Sequence, residues 1–159
     1  MSINNKEIFM LEAIKKAEEN IITGKGGPFG AVVVRNGEII ASVANCVTST
    51  NDPTAHAEVV AIREACKALD TFDLTGCEIY ASCEPCPMCL GAIMWARIDK
   101  LYYAADRVDA SRAGFDDKLF YTELALSSEK RLLKPTQLLR KEANEVFDKW
   151  IEETDKITY

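Results

Sequence analysis

The chain is poor in histidine: His56 is the only one in 159 residues. Any metal must therefore take its other ligands from different residue types. Positive charge is also short. Nineteen Lys and Arg stand against 25 Asp and Glu, giving a net charge of -6 and a pI of about 4.9. Affinity for nucleic acid rests on cations that neutralise phosphates, so this balance disfavours a nucleic-acid partner unless a local basic patch supplies one. No apolar run approaches the roughly 20 residues that span a membrane, which excludes a membrane protein of that kind. No secretory leader is expected either, because Lys6, Glu7, Glu12, Lys15 and Lys16 interrupt the early apolar residues. The protein is therefore expected in the cytoplasm, with Cys46, Cys66, Cys77, Cys83, Cys86 and Cys89 as reduced thiols. No repeat, low-complexity tract or linker divides the chain, and residues 1–159 read as one domain.

Periodicity and punctuation give the order of elements. Ile8, Leu11, Ile14, Ala17 and Ile21 predict an amphipathic helix over 5–22, ended by Gly24, Gly26, Gly27 and Pro28. Phe29 to Val34 reads as a strand. Asn36-Gly37 marks a two-residue hairpin turn, and Glu38 to Cys46 returns. Turn residues from Ser49 lead to a helix with Pro53 in its first turn, reaching about Leu69. Cys77 to Ser82 is a third strand. A helix opened by Pro85 runs to about Trp95, and Lys100 to Ala105 is a fourth strand, parallel to the third through the crossover. Asp109 to Ala113 is one helical turn. Residues 119–126 carry too few punctuators to type. Leu138, Leu139, Val146, Phe147, Trp150 and Ile151 outline a final helix. The expected fold class is α/β, a three-layer α/β/α domain with a mixed sheet.

Two stretches concentrate the chemistry: Asn51-Asp52-Pro53-Thr54-Ala55-His56-Ala57-Glu58 and Glu84-Pro85-Cys86-Pro87-Met88-Cys89. His56, Cys86 and Cys89 offer one imidazole and two thiolates. Structural zinc sites close with four protein ligands, whereas catalytic sites keep three and leave a place for water. Cysteines three apart at a helix start share a face, and the positive end of the helix dipole favours thiolate. Zinc moves the pKa of a bound water from about 15.7 toward about 7. Glu58, two residues after His56, can then carry protons from that water to a ring nitrogen and a leaving amine. His-x-Glu followed by Pro-Cys-x-x-Cys is the pattern of zinc deaminases. Cys-x-x-Cys alone also suits buried thiols or a redox pair, but these leave His56 and Glu58 unexplained. Cys83, at a strand end, reads as a packed thiol.

On these residues the chain resembles the cytidine deaminase superfamily from its first helix to its fourth strand. Gly26-Gly27-Pro28-Phe29-Gly30, Asn45, the His56 stretch and Ser82 to Ala92 are similar to the bacterial guanine deaminase branch. So are Ala113-Gly114-Phe115-Asp116-Asp117 and a helical C-terminus ending in tyrosine. Free cytidine deaminases typically carry cysteine where His56 stands. The tRNA adenosine deaminase branch shares the zinc motif, but the acidic balance, the Gly-Phe-Asp-Asp stretch and the tail tilt against it. The resemblance implies Zn2+-dependent hydrolysis of guanine at C2 to xanthine and ammonia, with adenosine in tRNA, guanosine or cytosine as alternative substrates.

The same resemblance makes Asn45, Phe29, Asp117, Trp95 and Tyr159 candidates for contacting the base. Each also has a plainer reading from its position. Asn45 suits a strand end, and Phe29 suits the core at a strand start. Asp116-Asp117 suits a solvated loop, Trp95 suits packing, and terminal residues such as Tyr159 usually fray. In the family the C-terminal segment closes over the site, often from a neighbouring subunit. Residues 138–159 are accordingly expected to form a helix and an active-site lid, in a homodimer. A binding module with a structural zinc is the other class of function, and three ligands plus an unengaged Glu58 favour the enzyme.

Overall fold

A computed structural model describes residues 4–159. Contacts divide the chain into two compact units, one ending at Asp117 and one spanning Lys118–Tyr159. The first unit is built on four strands. These are β1 (Gly30–Arg35), β2 (Glu38–Ala44), β3 (Cys77–Cys83) and β4 (Lys100–Ala105), in the order β2-β1-β3-β4. β1 runs antiparallel to β2 and β3, and β3 parallel to β4, so the sheet is mixed as expected. The β1–β2 turn places Asn36 and Gly37 at φ 53° and 81°. Both values lie in the left-handed region that a type I′ turn demands and that Asn-Gly tolerates.

Helices cover both faces. α1 (Asn5–Thr23) packs on one, where Phe9 and Ala13 meet Val32, Val34 and Tyr80. α3 (Ala57–Leu69) and α4 (Pro87–Trp95) cover the other, where Ala57, Ala61, Ala65 and Ile93 meet Ala31, Val33, Cys77 and Ile79. Successive β1 side chains thus alternate between two cores, as the period of two requires. Short helices α2 (Val47–Thr50) and α5 (Arg107–Arg112) follow β2 and β4. The second unit holds α6 (Lys118–Ala125), a 3-10 turn (Ser128–Lys130) and α7 (Arg140–Glu152). Residues 119–126, untyped from sequence, are therefore mostly helical. No helix among the described residues is long and apolar enough to cross a membrane.

Three local expectations need correction. Of the row Ile8, Leu11, Ile14, Ala17 and Ile21 only Ala17 is buried; the row that α1 buries is Phe9, Ala13, Ala17 and Asn20. Small side chains win there because helix and sheet approach so closely that a Cβ on Gly30 would strike the Ala13 carbonyl. α3 starts at Ala57 and not near Pro53, because the Asp52 carboxylate accepts from the Thr54 N–H and hydroxyl at 2.8 and 2.6 Å and fixes a turn there. α4 starts at Pro87 and not at Pro85, since a residue that precedes proline is held extended and Cys86 takes the N-cap position.

Candidate metal centre and active site

One end of the sheet collects the C-termini of β2, β3 and β4 and the start of β1. Backbone bonds stitch it together: Asn45 N–H donates to Phe29 O at 2.9 Å, and Glu84 N–H to Ala105 O at 2.8 Å. Gly30 N–H donates to Ser82 Oγ at 2.9 Å. Four polar side chains are buried among the described residues, Asn20, Asn45, Glu58 and Ser82, and all four belong to this end. Burial without partners is costly, so such clustering marks a built polar site.

The N-cap residues of α3 and α4 are His56 and Cys86, both extended, and neither side chain caps its helix. They turn to a shared point with Cys89. His56 Nδ1 lies 3.6 Å from Cys86 Sγ and 3.4 Å from Cys89 Sγ, and the two sulfurs are 3.6 Å apart. No other group of three or more such donors among the described residues could hold a metal ion. The fit to zinc can be tested by size. Tetrahedral zinc with Zn–S near 2.3 Å and Zn–N near 2.05 Å requires sulfurs about 3.8 Å apart and S···N about 3.6 Å. The measured separations fall within a few tenths of an ångström of these. A soft, thiolate-rich donor set of this kind suits zinc.

Glu58, the second residue of α3, is 8% exposed. Burial pushes its carboxyl above the usual range. Cys86 is drawn down to about 4, chiefly by its hydrogen bond with Cys89, then by His56, against the opposing effect of burial. Cys89 goes up, because Cys86 beside it takes the first negative charge and burial adds to this. His56 is raised by its contact with Cys86. Asp117 is raised by burial and then by the nearby Cys86. One thiolate, on Cys86, is thus favoured, and its charge raises the cost of ionising Cys89, Glu58 and Asp117. A divalent cation relieves that cost.

Of the sequence candidates, the structure brings His56, Cys86 and Cys89 together, with Glu58 and Asp117 near enough to feel the charge of Cys86. Asn45 is buried, and its Oδ1 accepts from the N–H groups of Gly27 at 3.2 Å and Val47 at 3.1 Å. That fixes its amide orientation and leaves Nδ2 to donate. Phe29 stands edge-to-face with Phe115, ring centres 4.8 Å apart, and packs on the core. Cys83 is buried, pushed to about 11 by burial and then by Glu58, and outside the metal-binding group, as a packed thiol should be. Trp95 ends α4 and is 66% exposed. Tyr159 is exposed and belongs to the second unit. A cavity of 360 Å³ is lined by Phe29, Ser82, Cys83 and Phe115 among others, and none of His56, Cys86 and Cys89 lines it. Asn20 and Ser82 were missed in the sequence. The one available signal was a polar residue continuing the row Phe9, Ala13, Ala17 on α1.

Comparison with known proteins gives the same reading of this geometry. The model of the cytidine and deoxycytidylate deaminase zinc-binding region matches residues 3–105. Guanine deaminase of Bacillus subtilis is 49% identical over 98% of this chain and 99% of its own. The crystal structure of guanine deaminase from that organism superposes with a TM-score of 0.95, at 48% identity and 99% coverage of both chains. A guanine deaminase structure from Nitrosomonas europaea matches at TM-score 0.67 and 34% identity, over 74% of this chain and 66% of that one. The tRNA-specific adenosine deaminase of Aquifex aeolicus is 45% identical over 63% of this chain and 66% of its own. The chain belongs to the cytidine and deoxycytidylate deaminase family and is a homologue of bacterial guanine deaminase.

Proposed function

We propose that this protein hydrolyses guanine to xanthine and ammonia with zinc held by His56, Cys86 and Cys89. The observation that carries the substrate assignment is the extent of the likeness. Identity to a guanine deaminase runs through 98% of the chain, well past Ala105, where the family model stops. It therefore takes in Asp117 and most of the second unit.

Zinc, when bound there, supplies the Lewis acidity that makes water a nucleophile at neutral pH. Glu58 does the proton work. A buried carboxyl with a raised pKa accepts one proton from the attacking water and gives it to the ring nitrogen next to C2, then takes the second from the hydroxyl now on C2 and gives it to the departing amine. The C2–O bond forms, the C2–N bond breaks and ammonia leaves. Asn45 reads the base as a donor: with Oδ1 already committed to two backbone N–H groups, only Nδ2 remains, and guanine offers it O6, N7 and N3 as acceptors. Asp117 accepts from N1–H or the 2-amino group. Phe29 stacks on the ring. Trp95 and Tyr159 complete the wall in a homodimer, with residues 138–159 as the lid. The acidic chain works in the cytoplasm, where its thiols stay reduced.

The test is ammonia release by the zinc-loaded protein from guanine, guanosine, cytosine, adenine and a tRNA substrate. Guanine should be the preferred substrate, with xanthine as product. Deamination of tRNA adenosine with guanine untouched would move the chain to the other branch. Bound zinc with no turnover of any substrate would leave a scaffold.

A further inference from the structure

The mechanism makes no use of Asn20, the most deeply buried polar side chain in the molecule's described part, at 3% exposure. It lies in the last turn of α1, on the row that packs against the sheet. Its Nδ2 donates twice, to Gly27 O at 2.8 Å and to Asn45 O at 2.7 Å. An amide nitrogen carries two hydrogens, so both are spent on these two carbonyls. Gly27 and Asn45 are also joined to each other: Gly27 N–H donates to Asn45 Oδ1 at 3.2 Å. Asn45 N–H reaches Phe29 O at 2.9 Å. The segment from Gly27 to Phe29 and the residue Asn45 are thus held as one piece, and Asn20 is the side chain that spans them. The fit is close on the remaining side too, since a Cβ on Gly26 would strike the backbone and side-chain oxygens of Asn45.

We propose that Asn20 is a positioning residue for base recognition: by holding the carbonyls of Gly27 and Asn45 it aims Asn45 Nδ2 at the substrate and sets Phe29 beside it. This rests on the guanine deaminase reading for the roles of Asn45 and Phe29. The side-chain hydrogen bonds of Asn20 go to Gly27, Asn45 and Thr23 and to none of the metal donors, so its influence falls on binding the base and not on holding zinc. Loss of its donors leaves two buried carbonyls without partners. The local response is for the Gly27–Phe29 segment and Asn45 to shift until water reaches them.

The test uses full-length, zinc-loaded protein and the base that the unaltered chain deaminates. Asn20→Asp keeps the shape and removes both donors; Asn20→Ser keeps one small donor. Zinc content, melting temperature, kcat and KM are measured for each, alone and in an Asn45→Ala background. Both single variants should keep zinc, raise KM by about tenfold, the equivalent of one hydrogen bond to the base, and change kcat less. In the Asn45→Ala background the same change should cost about twofold or less, since the group it aims is gone. Equal fold effects in both backgrounds, or a lowered melting temperature with unchanged KM, would reduce Asn20 to a structural residue and overturn the proposal. If Asn20→Asp fails to fold, Asn20→Ser carries the comparison. An unaltered chain that acts on another base instead of guanine refutes the substrate assignment, and the cycle is then run on that base.

Discussion

Glu58 is the only carboxylate among the four buried polar side chains of the described residues, and the proposed proton transfer rests on that burial. Glu58→Gln keeps the shape and cannot titrate. The variant should retain zinc and fold while turnover falls by about 10²–10⁴, checked by metal analysis beside a xanthine assay. Cys86→Ala removes one of three ligands, and its purified protein should be depleted of zinc and melt earlier, because ligation carries folding energy. A different residue sets part of the acid limit of stability. Glu78 is held below the usual carboxylate range by the Lys100 ammonium at 2.9 Å and then by the Tyr80 hydroxyl at 2.7 Å. A lowered folded pKa contributes stability that is full above the ordinary carboxylate value and is lost as pH falls through the folded one. Glu78→Gln should therefore melt earlier at neutral pH, by no more than about 1 kcal/mol for a partly exposed pair, and the gap should close in acid. The grouping of His56, Cys86 and Cys89 was legible in the sequence because spacings of two and three residues fix the geometry locally. Asn20 and Ser82 were not, because their partners lie 25 and 52 residues away.

At the scale of elements, the strands and the Asn-Gly turn follow from local chemistry, and β4 has the bounds its sequence suggests. The start of α1 at Asn5 is as expected, whereas those of α3 and α4 are not, and their displacement matters for function. With α3 and α4 beginning at Ala57 and Pro87, His56 and Cys86 stand just outside their helices in extended backbone. Their side chains are then free to converge where the first N–H groups of both helices favour negative charge. Period alone cannot reveal this, since Pro53 and Pro85 are both acceptable first-turn residues. α1 illustrates the second limit. Its most hydrophobic row and its buried row differ, because the sheet selects for close approach through Ala13, Ala17 and Gly30. Gly30→Ala would force a Cβ into the Ala13 carbonyl and should cost about 1–3 kcal/mol, seen as a melting temperature lower by roughly 2–12 °C. The zinc content of the folded fraction should be unchanged.

The whole molecule leaves a great deal of apolar surface uncovered as a single chain. Ile8, Leu11, Ile21 and Ile22 on α1 are exposed, as are Met94 and Trp95 on α4. In the second unit α6 and α7 bury no residue at all, although α7 carries Val146, Phe147, Trp150 and Ile151. Soluble monomers rarely present apolar patches on this scale, so a homodimer or a larger assembly of dimers should appear by sedimentation at micromolar concentration, and a purely monomeric protein would contradict it. The tail is not loose at its root: Lys156 Nζ donates to Trp150 O at 3.0 Å and Ile151 O at 2.5 Å, satisfying the last carbonyls of α7. Such a tie holds Ile157 and Tyr159, the two large apolar groups of an otherwise polar end, on an anchored segment. Deletion of residues 152–159 removes no metal donor, so zinc content and the melting of the first unit should stay as they are. Guanine turnover should fall sharply, through kcat, KM or both, because a lid excludes water and completes the pocket around a small base. A truncated protein that deaminates guanine as the full chain does would show that the tail is not a lid, whatever its state of assembly.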